Sequence, residues 1–290
     1  MPDLDQLATA LASNENGQHF HYLKKMYGGH TNSVWLLKDK TKIIFKKYSK
    51  SDENSMFPNS LADEVKVLRK LEKLDVAPKL IKSWPKLSVI AYRYIEGSRC
   101  LKNIQAIVEL MKKKEKLDPA GFKKTLTDSK EIILEGDRFL QICKFEPDVN
   151  RPNIIDVYPL KKTSLIHRDI GANLIEKPDG MVKIIDWQCP ADGDICEDIF
   201  SILSPGFQIL ADRTPLTEEV ISLFWMYMNR PDICRRYNEI KAAYAWRHGA
   251  YCFWRSMVVD DKKLSAKYKA AALEEFNYIE SKSNSFSSLS

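Results

Sequence analysis

Residues 164–187, SLIHRDIGANLIEKPDGMVKIIDW, constrain the fold of this chain more than any other stretch. Two short runs, Asn173–Glu176 and Met181–Ile185, have the pattern of β-strands, and KPDG between them supplies the Pro, Asp and Gly of a turn. A hairpin brings its two ends together, so Asn173 at the entrance and Asp186 at the exit become neighbours. The segment therefore predicts a hairpin with oxygen ligands at its open end.

The polar residues around this hairpin suit one kind of chemistry. A carboxylate and a carboxamide oxygen are hard donors that suit Mg²⁺, which keeps room for water and phosphate oxygens. Asp169 lies four residues before Asn173, where it can orient an attacking hydroxyl and accept its proton, as phosphoryl transfer requires. Taken singly, an Asp beside Arg168 is a common surface pair, and an Asp after a strand is a common turn residue. Their joint order favours phosphoryl transfer.

Composition places the chain among soluble globular proteins and narrows its partners. Its 290 residues are 44% hydrophobic and 29% charged, enough for one large domain or two lobes. An acidic start and the lack of a long apolar run predict a cytoplasmic protein that neither is secreted nor spans a membrane. Six scattered cysteines without a CxxC pair predict reduced thiols. The net charge of +6 lies on lysine-rich surfaces and favours solubility over nucleic-acid binding.

The first third of the chain has the pattern of an antiparallel sheet with one helix. Ser60 stands three residues before Asp63, a capping-box-like start, and apolar residues then recur at helical spacing until DVAP. The strands predicted around this helix are 20–26, 33–37, 42–47, 78–84 and 88–94. A joint between two lobes is expected near Gly97.

The remainder is mostly helical. Apolar spacing predicts helices at 104–114, 128–145 and 216–281, the last of them broken near NRPD. The polar end SKSNSFSSLS predicts a disordered tail over residues 282–290.

Three motifs resemble those of one known group of enzymes. HRDIGAN is similar to the group's catalytic loop, IIDW stands where protein kinases have Asp-Phe-Gly, and GDICED is similar to its Gly-Asp followed by a second Asp. On these motifs the chain resembles the aminoglycoside phosphotransferase and choline kinase family of small-molecule kinases, over nearly its whole length. The lack of Asp-Phe-Gly and of an Ala-Pro-Glu segment speaks against a protein kinase.

The resemblance implies an α+β, bilobal, protein-kinase-like fold with an antiparallel β-sheet N-lobe and a mainly helical C-lobe. Residues 1–97 would form the nucleotide-binding lobe, and residues 98–290 would carry the catalytic loop and the acceptor site. The implied activity is transfer of the ATP γ-phosphate to a hydroxyl of a small molecule, such as an amino alcohol, a sugar or an aminoglycoside-like compound. The implied requirements are ATP or GTP and Mg²⁺, in a monomer or homodimer.

On the nucleotide side, the resemblance implies a phosphate-covering turn, a lysine and a hinge. The residues of the turn are Gly28, Gly29, Thr31, Asn32 and Ser33. Lys46 and Lys47 point to opposite faces of the third strand, and comparison with the family's strand favours Lys46 as the phosphate ligand, with Glu64 as its partner. In AYRYIEG, the Arg93 carbonyl and the Ile95 amide are the expected contacts to the base.

On the catalytic side, the resemblance makes Asp169 the catalytic base, with His167 and Arg168 beside it. Asn173 and Asp186 would be the Mg²⁺ ligands. These roles follow from the family's motif, residue by residue.

The catalytic loop departs from the family's pattern in one respect. That pattern has four residues between the Asp and the Asn, whereas here only Ile170, Gly171 and Ala172 intervene. Gly171 is expected to absorb the tighter turn through its backbone freedom. The shortened loop leaves a second function open, that of a nucleotide-binding pseudokinase with a regulatory role.

The nature of the acceptor stays open at the level of sequence. Asp194 and Asp198, in GDICED, are expected to support the catalytic loop through hydrogen bonds, to cap the next helix, or to do both. Five residues share one helical face, either in the core or lining an acceptor site that could also include Asp194: Tyr244, Arg247, Tyr251, Trp254 and Arg255. Aromatic rings would suit a quaternary amine, and arginines an anionic group.

Overall fold

The chain forms two compact units. The computed structural model describes residues 23–26, 31–37, 42–49, 56–99, 102–153 and 156–286, the last seven of these by their backbone alone. The first unit comprises Met1–Cys100 and Leu174–Pro190, and the second comprises Leu101–Asn173 and Ala191–Ser290. The hairpin that follows Asn173 therefore belongs to the first unit. The boundary predicted near residue 97 places it in the second.

The first unit is built on a five-stranded antiparallel sheet. Its spatial order is β1-β2-β3-β5-β4, with strands at Leu23–Met26 (β1), Ser33–Leu37 (β2), Ile43–Lys47 (β3), Leu80–Trp84 (β4) and Val89–Arg93 (β5). Each of these five strands lies within a predicted one, so the predicted antiparallel sheet is confirmed.

The two faces of this sheet have different partners. Ile43, Phe45, Val89 and Ala91 are buried in one cluster, which occupies one face because alternate residues of a strand point the same way. Lys46 points to the opposite face and is buried there. The charge therefore lies on the face away from the apolar cluster.

One helix, α1 (Leu61–Leu71), accompanies the sheet and ends in a short 3₁₀ turn at Glu72–Leu74. The Ser60 side chain accepts a hydrogen bond from Asp63 N at 3.1 Å, so the predicted N-terminal cap is present. Val67 and Leu68 are buried on its inner face, and so is Glu64. An acidic residue on the buried face of a helix requires a charged or hydrogen-bonded partner.

The predicted hairpin is present in the first unit. Strands β8 (Leu174–Glu176) and β9 (Val182–Ile184) pair antiparallel, with Leu174 opposite Ile184, and β6 (Ser98–Arg99) extends their sheet. The turn between β8 and β9 is closed by Gly180 N donating to Lys177 O at 2.9 Å. Gly180 has a φ of 80°, a conformation that side-chain-bearing residues avoid.

The second unit is mainly helical. Its helices are Ile104–Glu115 (α2), Ser129–Cys143 (α3), Ile195–Leu203 (α4), Pro205–Leu210 (α5), Glu218–Met228 (α6), Pro231–Val258 (α7) and Lys262–Phe286 (α8). A two-stranded antiparallel ribbon pairs β7 (Ser164–Ile166) with β10 (Ala191–Gly193). The long helix α7 packs against both α3 and α8, and its residues 243–252 are buried on all sides.

Helices α4 and α5 and the strand β7 were not delimited by the sequence analysis. Every residue of α4 is buried, and at nine residues the helix is too short for its apolar spacing to distinguish it from a buried strand. The Asp194 side chain accepts a hydrogen bond from Cys196 N at 2.9 Å, which confirms the capping alternative for this residue.

The last helical stretch is broken twice rather than once. The predicted break near NRPD is present: α6 ends before Asn229, which has a φ of 47°, and Pro231 begins α7. A second break lies between Val258 and Lys262, where the Asp261 side chain accepts from Lys263 N at 2.9 Å and starts α8.

Helix α8 continues to Phe286, beyond the start of the predicted disordered tail at residue 282. This stretch contains neither Gly nor Pro to end it. Residues 287–290 lie outside the described residues.

The described part of the chain forms no disulfide between its cysteines, and Cys100 lies outside it. None of the described helices combines the length and the apolar character needed to cross a lipid bilayer.

Replacing Gly180 by Ala is expected to lower the free energy of unfolding by about 1 kcal/mol or more, because Ala at a positive φ is strained. Urea-induced unfolding of Gly180→Ala measures the change. Met181→Ala, at the exposed neighbouring position, serves as the control and should stay within about 0.5 kcal/mol of the parent chain. Equal stability of the two variants would contradict the strained-turn account.

Candidate active site

The first unit buries one lysine between two carboxylates. Lys46 Nζ lies 2.5 Å from Glu64 Oε2, and the Lys46 and Glu64 side chains are 2% and 1% exposed. The same ammonium donates to Asp186 Oδ1, whose side chain is 34% exposed. The predicted pairing of Lys46 with Glu64 is therefore present, and Lys47, on the other face of the strand, is exposed.

The pKa values of Lys46 and Glu64 depend on both burial and the neighbouring charges. Burial disfavours the charged form of Lys46, but Asp186 and Glu64 outweigh it, so the pKa of the ammonium lies above its ordinary value. Burial raises the pKa of Glu64 despite the neighbouring Lys46. When both carboxylates are ionised, the cluster carries a single net negative charge, which favours the approach of a cation.

Tyr48 completes the cluster and was missed by the sequence analysis. Its hydroxyl donates to Glu64 Oε2, and Lys46 Nζ lies 4.9 Å from the centre of its ring. Burial, together with Glu64, raises the pKa of the Tyr48 hydroxyl, so it remains a proton donor. Its position two residues after Lys46 was the available signal, since alternate residues share a face.

The side chain of Asn32 links the predicted phosphate-covering turn to the segment that follows Asp186. Its Nδ2 donates to Asn59 Oδ1 at 2.9 Å and to Gln188 Oε1 at 2.6 Å. Its Oδ1 accepts from Asn59 Nδ2 at 2.8 Å. The amide of Asn32 thus binds protein groups with both of its amide hydrogens, and we assign it a structural role in place of the phosphate donor expected from sequence.

Of the other residues of the predicted turn, the structure describes Thr31 and Ser33. Thr31 uses its carbonyl to accept from Ser49 Oγ at 2.5 Å. Ser33 is the first residue of β2 and lies opposite Lys47 in the register. Gly28 and Gly29 lie outside the described residues. Their roles toward phosphate remain predictions.

The predicted hinge residues follow strand β5. Arg93 ends the strand, and its amide donates to Lys79 O at 2.9 Å, while Tyr94 N donates to Lys42 O at 2.9 Å. Ile95 comes next and is half-buried. The contact of the Arg93 carbonyl and the Ile95 amide with a base remains a prediction.

Asp186 is held in an unusual backbone conformation. Its φ is 62°, a region that non-glycine residues seldom occupy and that recurs at functional sites. Trp187, fully buried, anchors the next position by donating its indole N–H to Ile184 O at 3.0 Å. Ser60 N donates to Gln188 O at 3.0 Å, so the chain is fixed on the carboxyl side of Asp186 as well.

In the second unit, a buried carboxylate fixes the catalytic loop. Asp198 accepts from His167 N at 3.0 Å and from Arg168 N at 2.6 Å. Its charge is balanced by Lys114, whose Nζ lies 2.5 Å from Asp198 Oδ2 with both side chains fully buried. The predicted support of the loop by Asp198 is confirmed, while Asp194 caps α4 and pairs with Arg236 at 2.6 Å instead.

Arg168 extends this support through a buried ion network. Its φ is 75°, and its Nε donates to Glu197 Oε1 at 3.1 Å. Arg247 Nη2 donates to the same oxygen at 2.8 Å. Burial alone would raise the pKa of Glu197, but Arg247 and Arg168 outweigh it and lower the pKa below its ordinary value of 4.5.

Three predicted residues meet at the turn of the loop. Asp169 N donates to His167 Nδ1 at 3.2 Å. Asn173 Nδ2 donates to Asp169 O at 2.8 Å and to Asp169 Oδ2 at 3.2 Å. The carboxamide of Asn173 therefore touches the carboxylate predicted to be the base, across the shortened loop.

Gly171 serves this turn through its size and not through backbone freedom. It is not among the glycines with positive φ, so the predicted reason was wrong. A Cβ at this position would collide with the Ser201 carbonyl, because the loop packs directly on α4. Ile170 N also donates to Ser201 Oγ at 3.1 Å, and Arg213 donates to Gly171 O.

The two residues predicted to bind Mg²⁺ belong to different units, Asn173 to the second and Asp186 to the first. With Asn173 Nδ2 engaged at Asp169, Oδ1 is the atom of this carboxamide that can ligate a metal, and Asp186 supplies a carboxylate. Among the described residues, no group of three or more His, Cys, Asp or Glu is arranged to hold a metal ion. The binding of one Mg²⁺ by both residues remains a prediction.

Comparison with solved structures identifies the fold. The choline kinase LicA from Streptococcus pneumoniae superposes with a TM-score of 0.63 at 15% identity, over 95% of this chain and 99% of that one. A choline kinase from Cryptosporidium parvum gives 0.66 at 14% identity over 98% and 96%. The ADP-bound aminoglycoside phosphotransferase APH(2'')-Ib gives 0.61 at 12% over 94% and 98%.

The chain has the fold of these kinases. The predicted α+β architecture and the resemblance to this group are therefore confirmed for the fold. No protein-family model matches the sequence, and no curated protein matches it either. At this low sequence identity, the structural similarity shows the fold but does not identify the substrate.

The aromatic face of α7 belongs to the core of the second unit. The exposed fractions of Tyr244, Tyr251 and Trp254 are 0%, 5% and 4%, and Phe139 packs against Tyr251 with ring centres 5.5 Å apart. Arg247 is equally buried and is committed to Glu197. Of the two alternatives for this face, packing in the core is the one observed, and these residues do not line an acceptor site.

Glu197→Gln is expected to lower the free energy of unfolding at neutral pH by about 3–5 kcal/mol, because it removes the buried carboxylate that binds both Arg168 and Arg247. Since the folded pKa of Glu197 is lowered, its contribution is fully present above about pH 4.5 and is lost as the pH falls through the lower folded pKa. Chemical unfolding of parent and variant from pH 7 to pH 3 measures the difference.

The gap between parent and Glu197→Gln should narrow below about pH 4.5. Glu239→Gln, at an exposed position on α7, is the control for removing a carboxylate and should leave stability nearly unchanged. A gap that stays constant across this pH range would show that the charge of Glu197 is not what stabilises the loop.

Proposed function

We propose that the chain is an ATP-dependent, Mg²⁺-dependent kinase that phosphorylates a hydroxyl of a small molecule. The observation that carries the proposal is the buried ammonium of Lys46 between Glu64 and Asp186. Burying a charge is costly, and replacement by apolar residues is often neutral or stabilising. A lysine retained between two carboxylates therefore points to a role in binding, for which phosphate oxygens are the natural partner.

The first unit supplies the nucleotide contacts in this proposal. Lys46, oriented by Glu64, binds the α- and β-phosphates. Backbone groups of Thr31 and Ser33, together with Gly28 and Gly29, cover the phosphates, and the Asn32 amide holds this turn in place. The Arg93 carbonyl and the Ile95 amide bind the base, with ATP as the first nucleotide to test and GTP as the second.

Asn173 and Asp186 are the proposed Mg²⁺ ligands. Asn173 directly precedes Leu174, Asp186 follows Ile184 by two residues, and Leu174 and Ile184 are partners in the hairpin register. The hairpin thus supports the proposal that both side chains serve one ion. When bound, Mg²⁺ neutralises charge that develops on the transferred phosphoryl group.

Asp169 is the proposed catalytic base. The acceptor oxygen forms a bond to the γ-phosphorus, the bond from that phosphorus to the β,γ-bridging oxygen breaks, and ADP leaves with the bridging oxygen. The proton of the acceptor hydroxyl passes to Asp169. His167 and Arg168 do not touch the reacting atoms in this scheme; they fix the loop backbone from which the carboxylate projects.

The fold neighbours support the coarse class of this function. Their names describe choline kinases and aminoglycoside phosphotransferases, all of which move a phosphoryl group to a small molecule. The narrower statements, the identity of the acceptor and the roles of single residues, rest on the contacts described above.

Asp169→Asn is expected to lower turnover by about 10²–10⁴-fold, because the amide cannot accept the proton. Nucleotide affinity should persist, since Lys46 and its partners are untouched. ADP release is measured over a panel of amino alcohols, sugars and aminoglycosides, and nucleotide affinity by titration calorimetry. Asp148→Asn, an exposed carboxylate of the second unit, is the matched control.

Two outcomes would contradict the proposal in different ways. If Asp169→Asn keeps full activity, Asp169 is not the base. If the parent chain binds ATP with Mg²⁺ but releases no ADP with any acceptor, the chain is a nucleotide-binding pseudokinase, the alternative that the shortened loop raises.

A further inference from the structure

The catalytic loop lies against the short helix α5. A Cβ at Gly171 would lie 3.7 Å from Phe207 Cβ, so no other layer of atoms separates the loop from this helix. The next residue of the helix, Gln208, uses its carbonyl to accept from Arg213 N at 2.9 Å. Arg213 in turn donates to the carbonyl of Gly171. Helix α5 therefore supports the loop both by direct packing and through Arg213.

Helix α5 depends on other elements for its own position. It has only six residues, Pro205–Leu210, and helices shorter than about 12 residues are marginal in water, because few hydrogen bonds offset the cost of nucleation. It packs on α8, and this approach needs a glycine: a Cβ at Gly206 would lie 2.5 Å from Glu275 Oε1. The contact with α8 is therefore close at this carboxylate.

Glu275 of α8 fixes the cap of α5. Its side chain is fully buried, and its Oε1 accepts a hydrogen bond from the Ser204 hydroxyl. The same hydroxyl accepts from Phe207 N at 3.3 Å and caps the helix. A hydroxyl has a single hydrogen, so its bond to the carboxylate turns its lone pairs toward the helix amide. The carboxylate thus orients the cap.

His248 of α7 holds both this carboxylate and the helix. Its Nδ1 lies 2.7 Å from Glu275 Oε1, and the two side chains are 2% and 0% exposed. Its ring is parallel to that of Phe207, with ring centres 3.9 Å and planes 5° apart. Cys252 Sγ lies 3.4 Å from Nε2, so both ring nitrogens have partners and the orientation of the ring is fixed.

We propose that Glu275 and His248 are positioning residues for Asp169. They hold α5 at its cap and at the Phe207 ring, and α5 supports the turn that follows Asp169. Both side chains are buried, so they act through the geometry of the loop and not by contact with substrate. This inference rests on the proposed kinase function, and it adds a second support to the one that Asp198 gives.

The two supports act on different amides of the loop. Asp198 binds the two amides that precede Asp169. The turn after Asp169 is closed by Asn173 N, which donates at 2.8 Å to the carbonyl three residues before it. Amide hydrogen exchange reports such local openings. Loss of the support from α5 should therefore speed exchange at Asn173 and leave the amides at Asp198 protected.

The test replaces Glu275 by two residues of similar length. Glu275→Met removes the oxygen that Ser204 and His248 share. Glu275→Gln keeps an accepting oxygen there and changes Oε2, which is buried and has no hydrogen-bond partner among the described residues. Amide exchange resolved to single residues is measured together with kcat and with KM for ATP, using whichever acceptor of the panel gives the fastest ADP release.

In Glu275→Met we expect exchange at Asn173 to rise by about 10-fold or more, the effect of losing one buried hydrogen bond, while that at His167 changes less than about 2-fold. kcat should fall by about 10-fold, with KM for ATP little changed. Glu275→Gln should restore most of both values. Ser204→Ala, a milder change at the same contact, should give the same pattern and is decisive if Glu275→Met does not fold.

Trp246→Phe is the matched control. Trp246 is a buried residue of α7, and its indole N–H donates to Asp137 Oδ1 at 2.8 Å, on α3 and not on α8. The variant also loses one hydrogen bond of a buried side chain, so it should lower the unfolding midpoint. Because this bond does not reach α5, kcat and the exchange at Asn173 should stay at the values of the parent chain.

The outcomes separate this inference from the kinase function. Parent-like exchange at Asn173 and parent-like kcat in folded Glu275→Met would overturn the inference and leave the kinase function intact. So would an equal rise of exchange at His167 and Asn173, or the same fall of kcat in Trp246→Phe, because general loss of stability would then explain the effect. Absence of ADP release from the parent chain with every acceptor would overturn the kinase function, and the exchange contrast would still decide whether Glu275 supports the loop.

Discussion

A single buried carboxylate, Asp198, determines the conformation of the catalytic loop. It binds two consecutive backbone amides, His167 N and Arg168 N, and Lys114 balances its charge. Consecutive amides can converge on one carboxylate only if the backbone turns sharply between them. Arg168, which directly follows this turn, has a positive φ, which costs of order 1–3 kcal/mol that charge-assisted hydrogen bonds can offset.

The two units differ in how their buried charges are balanced. In the second unit, Asp194, Asp198 and Glu197 each have basic partners, so the framework under Asp169 is electrically balanced. In the first unit, Lys46 serves two carboxylates and a negative charge remains. The balanced charges of the second unit fix the backbone of the loop. The unbalanced cluster of the first unit, in contrast, would be stabilised by binding a cation.

Most of the secondary structure could be predicted from local sequence patterns, because strand alternation, helix caps and the KPDG turn depend on residues close in sequence. The choice of Lys46 over Lys47 also followed from alternation together with the family's pattern. Contacts between distant residues could not be predicted in this way: Asn32 meets Gln188 across 156 positions. The aromatic face of α7 was ambiguous because helical spacing shows that residues share a face but not what covers it.

The shortened catalytic loop illustrates how a departure from a family pattern can be structural. Asn173 N donates to Ile170 O at 2.8 Å, which closes the three intervening residues into one tight turn. Gly171 lies so close to Ser201 that no side chain fits, and Arg213 binds its carbonyl. A decayed loop would lose such contacts, whereas this turn is fixed on both sides. It also brings the Asn173 amide to the Asp169 carboxylate, so the loop has a shorter backbone than the family's pattern while these two side chains stay in contact.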